Sequence, residues 1–222
     1  MIDTDLPFAP ALRPRPGALF LRCADGRLLP LEADRWHAAP DAADATVLRR
    51  CRGAVLDVGC GPGRMVSGLA ALGLRALGID VSGAAVHGTV GRGGSALRRS
   101  VFDPLPGEGR WGTLLLMDGN VGIGGDPPAL LRRLTELAAP DGVLLVETEA
   151  ETGVAGTDER LTVRVHDGRS AHGPAFPWAR VGPRALRRYA AREGWRVTAQ
   201  WHADGRAFTE LRRALGPSVH LG

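Results

Sequence analysis

The run Val55-Leu56-Asp57-Val58-Gly59-Cys60-Gly61-Pro62-Gly63-Arg64 constrains the fold more than any other part of the chain. A short apolar stretch ends near an aspartate, three glycines alternate, and a helical pattern begins. Such a run reads as a buried strand whose carboxyl end feeds a tight loop over a helix N-terminus. A loop without side chains lets a ligand lie against backbone N–H groups. In open α/β sheets, ligands bind at this position.

Periodicity then predicts alternating strands and helices. Strands are expected at 54–58, 74–79, 96–101, 113–117 and 143–148, with helices at 64–72, 82–89 and 127–138 between them. Pro140-Asp141-Gly142 reads as a turn. Beyond residue 150 the pattern changes: an alternating strand at 161–166, an amphipathic helix at 183–192, and two strands at 195–201 and 206–211 joined by Asp204-Gly205 as a hairpin turn. The expected fold is α/β, a Rossmann-like doubly wound sheet of seven strands, mostly parallel with an antiparallel edge hairpin. Before residue 53 the chain reads as irregular and proline-rich apart from a helix at 39–51. The expected division is a lid or cap at 1–52, the ligand-binding domain at 53–213 and a tail at 214–222.

Composition removes several functions. All 28 basic residues are arginine, which excludes chemistry that needs a lysine amine. The three cysteines, Cys23, Cys51 and Cys60, are widely spaced and suggest neither a disulfide framework nor a zinc site. No acidic cluster suggests a catalytic metal. Residues 160–213 hold 12 arginines against 4 acids, but these arginines alternate with apolar residues and read as a solvated basic face, so a nucleic-acid partner is not expected. No segment is long and apolar enough for a membrane helix and no signal peptide is visible, so a cytoplasmic protein is expected.

Two ligands compete for the glycine loop. A dinucleotide site wants G-x-G-x-x-G. Here the last interval is shorter, and Asp57 would repel a pyrophosphate but suits a ligand with a cationic ammonium group. At this point the chain resembles the class I S-adenosylmethionine-dependent methyltransferases. Asp57, Gly59, Gly61 and Gly63 match that family's first motif, with Cys60 as a small loop residue, and Gly78-Ile79-Asp80-Val81-Ser82 matches the second. The resemblance implies S-adenosylmethionine as cofactor and S-adenosylhomocysteine as product. It places Asp80 on the ribose hydroxyls and Val81 against the adenine. Ser100 and Val101 take the next adenine positions, with Asp103 as an alternative to Ser100, which departs from the family's aspartate. In Leu116-Met117-Asp118-Gly119-Asn120, it places Asp118 and the Gly119 backbone near the cofactor and Asn120 toward the substrate.

The expected reaction is methyl transfer to a small-molecule acceptor at O, N or C, in the biosynthesis of a specialised metabolite. Asn120, His37 and His166 are the catalytic candidates, with His172 a further candidate base. Trp36 and Trp178, in lid-like segments, could stack on a flat acceptor. Arg180, like Arg35, could bind an acidic one. Two other readings stay open: a non-methylating reaction such as cyclisation on the same fold, and RNA methylation.

Overall fold

In the computed structural model, residues 18–151 and 156–214 are described. The outer parts of the expected cap and tail, 1–17 and 215–222, lie outside them.

The elements follow in chain order: β1 (Leu19–Cys23), β2 (Leu28–Leu31), α1 (Ala33–His37), α2 (Ala42–Leu48), β3 (Val55–Val58), α3 (Arg64–Ala71), β4 (Ala76–Asp80), α4 (Gly83–Gly91) and β5 (Ala96–Arg98). Then come β6 (Trp111–Leu116), a 3-10 turn (Asn120–Gly122), α5 (Pro127–Leu137), β7 (Ala138–Thr148), β8 (Asp158–His166), β9 (Ala171–Val181), α6 (Pro183–Arg192), β10 (Trp195–Ala203) and β11 (Arg206–Arg213).

The main sheet has seven strands in the order β10-β11-β7-β6-β3-β4-β5. The five strands from β5 to β7 are parallel, and β11 and β10 add antiparallel. The chain moves outward from β3 through β4 to β5, then returns to the other side of β3 with β6. That reversal opens a crevice beyond the carboxyl ends of β3 and β6. The glycine loop sits there.

Strand alternation divides the core between the two sheet faces. Leu56, Leu114, Leu116 and Leu144 pack with Leu130, Leu131 and Leu134 of α5 and Leu186 of α6. Val55, Leu115, Met117, Val143 and Leu145 face Val47, Leu48, Met65 and Leu69 of α2 and α3. Asp57 is in phase with Val55, so it points toward the α2–α3 side. Local signals place the helix ends: Ser82 caps α4 by accepting from the Ala85 N–H (3.5 Å), and Asp126 caps α5 ahead of two prolines. Asp204 and Gly205, with φ of 48° and 75°, make the expected hairpin turn between β10 and β11.

Two expectations are corrected. Pro140-Asp141-Gly142 is not a turn but lies within β7, at an irregularity in its pairing with β6 between Trp111 and Thr113. The expected strand at 161–166 is β8, and three segments read as irregular join it in a second sheet, four antiparallel strands in the order β2-β1-β8-β9. Pro174 and Pro177 hid β9 from sequence reading. They are tolerated because β9 is an edge strand, where a missing N–H interrupts no inner ladder. This cap sheet joins the main body through a bridge between Trp178 and Ile123.

Candidate functional site

The crevice holds a cavity of about 320 Å³. Its floor is the glycine loop: Asp57, Gly59, Cys60 and Gly61 line it, with Asp80 and Val81 from the end of β4 and Ser100 and Val101 from beyond β5. The three loop glycines all have positive φ, but they do different work. A Cβ on Gly61 would meet nothing within 4 Å, because it would enter the open space above the loop. A Cβ on Gly59 would reach within 2.5 Å of the Asn120 amide nitrogen. Gly63 does not line the cavity: a Cβ there would lie 2.8 Å from Thr89 Cα, so this glycine lets α3 approach α4.

Asp57 is buried, with 2% of its surface exposed, and no hydrogen-bond donor among the described residues reaches its carboxylate. Burial pushes its pKa up to about 7 against the pull of Arg64, with the carboxylates of Asp118, Asp80 and Asp44 adding to the rise. Asp80 is held more firmly. It accepts from the Gly61 N–H (3.1 Å) and the Ser82 N–H (2.8 Å), fixing its carboxylate between the loop and the start of α4. Burial still raises its pKa.

Cys60 fills the space left by Gly78, whose Cβ would lie 2.5 Å from the sulfur, and burial pushes the thiol up. It is a packing residue, not a nucleophile. Ser100 is at the wall, but its hydroxyl accepts from the Phe102 N–H (3.2 Å). Asp103 accepts from the Ser100 N–H (3.0 Å) and does not line the cavity.

Of the fourth motif, Asp118 and Asn120 line the cavity. Asp118 lines the cavity at a φ of 54° with both carboxylate oxygens engaged: one with Arg64 (2.6 Å), the other with Arg35 (2.9 Å). Gly119 lines a neighbouring cavity of about 300 Å³ instead. Asn120 spends its amide N–H groups on the carbonyls of Val58 and Gly59 (2.9 Å each), so it braces the loop rather than presenting a donor to a substrate.

Among the described residues, no histidine lines either cavity. His37 ends α1, where its carbonyl accepts from Arg92 (2.5 Å). The His166 ring accepts from the Gly168 N–H (3.0 Å), and His172 contacts Asp167 (2.8 Å) in the same β8–β9 hairpin. None of these three rings faces the glycine loop across the cavity. Arg180 also stands outside the first cavity, paired with Glu149 (3.0 Å) and Glu159 (3.4 Å). Trp36 and Trp178 do line both cavities, but from α1 and β9 rather than from irregular lids.

Sequence reading missed a buried ionic network beneath the site. Arg64 pairs with Asp44 and Asp118. Arg206 grips Glu147 through two nitrogens (2.8 and 2.7 Å) and also reaches Asp44 (2.9 Å). Arg35 of α1 connects the network to the cap through Asp118 and Glu147 (3.7 Å). The one local sign of it was Asp41-x-x-Asp44, which forms a capping box on α2. The other partners lie far apart in sequence.

A family model described as a methyltransferase domain matches residues 31–200. No curated protein sequence matches the chain. Among solved structures, a methyltransferase from Bacteroides fragilis in complex with S-adenosyl-L-homocysteine superposes with a TM-score of 0.77 at 22% identity, covering 96% of each chain. The 1,6-didemethyltoxoflavin-N1-methyltransferase of Burkholderia thailandensis gives a TM-score of 0.63 at 16% identity, covering 82% of this chain and 81% of its own. An amino pentose methyltransferase of Micromonospora echinaspora gives 0.58 at 17% identity, covering 80% and 91%. With the family model covering more than half of its length and the loop, sheet order and crevice in place, the chain belongs to the methyltransferase-domain family.

Proposed function

We propose that the crevice binds S-adenosylmethionine and that the enzyme transfers its methyl group to a small-molecule acceptor. The observation that carries the donor is Asp57, a buried carboxylate with no hydrogen-bond donor among the described residues, beside a loop whose middle glycine opens into the cavity. A buried charge left this way asks for a cation, and the donor's ammonium and sulfonium groups supply it. Asp80 would take the ribose hydroxyls, since a carboxylate fixed by two backbone N–H groups keeps lone pairs for O–H donors. Val81, Ser100 and Val101 would line the adenine pocket, and the Asp118–Gly119 turn would border the methionine end.

Bound there, the sulfonium supplies an electrophilic methyl with a good leaving group. The protein's own contribution is alignment and exclusion of water. Support for a small-molecule acceptor comes from the modest volume of the cavity, about 320 Å³, and from the small-molecule acceptors named for the Burkholderia and Micromonospora proteins. Calorimetry with S-adenosylmethionine and S-adenosylhomocysteine tests the donor. Asp80→Ala should weaken both with the fold retained by circular dichroism, and unchanged affinity would refute the ribose role.

A further inference from the structure

The methionine end of the donor is a zwitterion, so its site needs a partner of each sign. In the donor site proposed above, Asp57 meets the ammonium group. The carboxylate is two bonds away from that ammonium. It therefore comes close to Asp57 and Asp118, two carboxylates of the cavity lining, and without a cation it would be repelled. The floor's own donors are already engaged. The N–H groups of Gly59 and Cys60 go to the Ile79 carbonyl (2.9 and 3.0 Å), that of Gly61 to Asp80 (3.1 Å) and that of Gly63 to the Cys60 carbonyl (3.1 Å). Arg64 lines the cavity but is divided between Asp44 and Asp118. Arg99 lines it next to Ser100, at the adenine end, with Nη1 on the Arg98 carbonyl (3.2 Å).

Arg35 differs from these. It stands on α1, and among the described residues its side chain makes one hydrogen bond, from Nη2 to Asp118 (2.9 Å). A guanidinium carries five N–H groups, so most of its donor capacity is unspent. Nε is buried and has no partner, while 25% of the side chain as a whole is exposed and open to a ligand. Asp118 lines both cavities and Arg35 lines the second, which sets its guanidinium at their shared edge. The other arginines of the second cavity are taken: Arg206 by Glu147, Asp44 and Asp41, and Arg180 by Glu149 and Glu159.

Resting on that donor site, we infer that Arg35 holds the carboxylate of the donor's methionine end. Nη2 keeps Asp118 in place, and Nη1 donates to the donor's carboxylate. A guanidinium suits this task, because its donors are spread over a planar fork and can serve two carboxylates at once. Arg35 and Asp57 then read the two charges of one zwitterion from two elements, α1 and β3. The site is therefore selective for donors that keep the amino-acid carboxylate.

The test compares three ligands by calorimetry: S-adenosylmethionine, its decarboxylated form, which keeps the sulfonium and the ammonium, and methylthioadenosine, which lacks the amino-acid part. Wild type should bind S-adenosylmethionine about tenfold to a hundredfold tighter than the decarboxylated form, as a hydrogen bond between charged groups does. In Arg35→Met that preference should shrink to within about twofold, with no loss of affinity for the other two ligands. Arg35→Met also takes a partner from Asp118, so a merely structural role would weaken all three ligands together. That result overturns the inference, as does a preference in Arg35→Met equal to that of wild type. If Arg35→Met does not fold, Arg35→Gln serves the same comparison. Wild type that binds S-adenosylmethionine and its decarboxylated form equally also overturns the inference and leaves the donor site standing. Wild type that binds none of the three overturns both.

Discussion

The floor and the roof of one cavity were built in different ways. The floor is made of consecutive residues at strand ends, 57–61, 80–81 and 100–101, held by bonds that span a few positions or one βα unit. The roof joins Leu31, Trp36 and the 176–178 segment, which come together only when β8 pairs with both β1 and β9. Under both runs the Arg35–Asp118–Arg64–Asp44–Arg206–Glu147 network, drawn from six separate segments. The contrast teaches that the floor is a local property of this chain and the roof a tertiary one.

The strongest way to break this picture is at the network. Arg206→Met removes the two-nitrogen grip on buried Glu147 and one of the two arginines on Asp44, and should cost about 3–5 kcal/mol in chemical denaturation. A loss under about 1 kcal/mol would mean that the network is not a structural joint between floor and roof.

A sharper division comes from Gly61→Val. The side chain would project into the cavity, so S-adenosylhomocysteine binding should fall below calorimetric detection. Gly26→Ala, in the β1–β2 turn at a φ of 89° and with open space around its Cβ, is the matched control. It carries backbone strain without touching the floor and should leave affinity unchanged. Equal losses in the two variants would show that strain, not occupancy, is being read.

Asp57 predicts opposite signs for stability and binding. Its folded pKa, near 7, lies above the unfolded value of about 4. The folded ligand-free protein therefore holds an extra proton between those limits. The stability from that protonated form is full below about pH 4 and is lost as pH rises through 7. Asp57→Asn should remove this decline, raising the melting temperature at pH 8 by an amount worth on the order of 4 kcal/mol at most, with little change at pH 4. Affinity for S-adenosylmethionine should move the other way. In wild type it should fall as pH drops below about 7, where the carboxyl must lose a proton to meet the cation, and in Asp57→Asn it should be weak and flat with pH. A variant that binds as tightly as wild type would remove Asp57 from the donor site.

The smallest effect is expected at His37. His37→Ala should keep methyl transfer within about twofold, since the imidazole is outside both cavities. A hundredfold loss would restore it as a base.

Legibility in the sequence followed the range of each interaction. The parallel strands, the helix begun by Pro127-Pro128 and the hairpin turn at Asp204-Gly205 each rest on residues within a few positions of one another, and were readable. Of the cap sheet only β8 was, and β9 was not, because Pro174 and Pro177 suppress a strand pattern that is permitted only at an edge. The bracing role of Asn120 was hidden for a related reason. It lines the cavity, but its amide nitrogen is spent 62 positions away on Val58.

By itself, then, the sequence determined the parallel sheet, its reversal beside β3, and a glycine loop fitted to an adenosyl donor. Backbone conformation and strand-end placement are set by near neighbours, and the motif is written in one stretch. Only the tertiary structure decided which arginines are spent on buried carboxylates, that the described histidines stand outside the cavity lining, and that Leu31, Trp36 and the 176–178 segment meet over the glycine loop. Those properties depend on which distant side chains burial forces together, and no spacing along the chain records that.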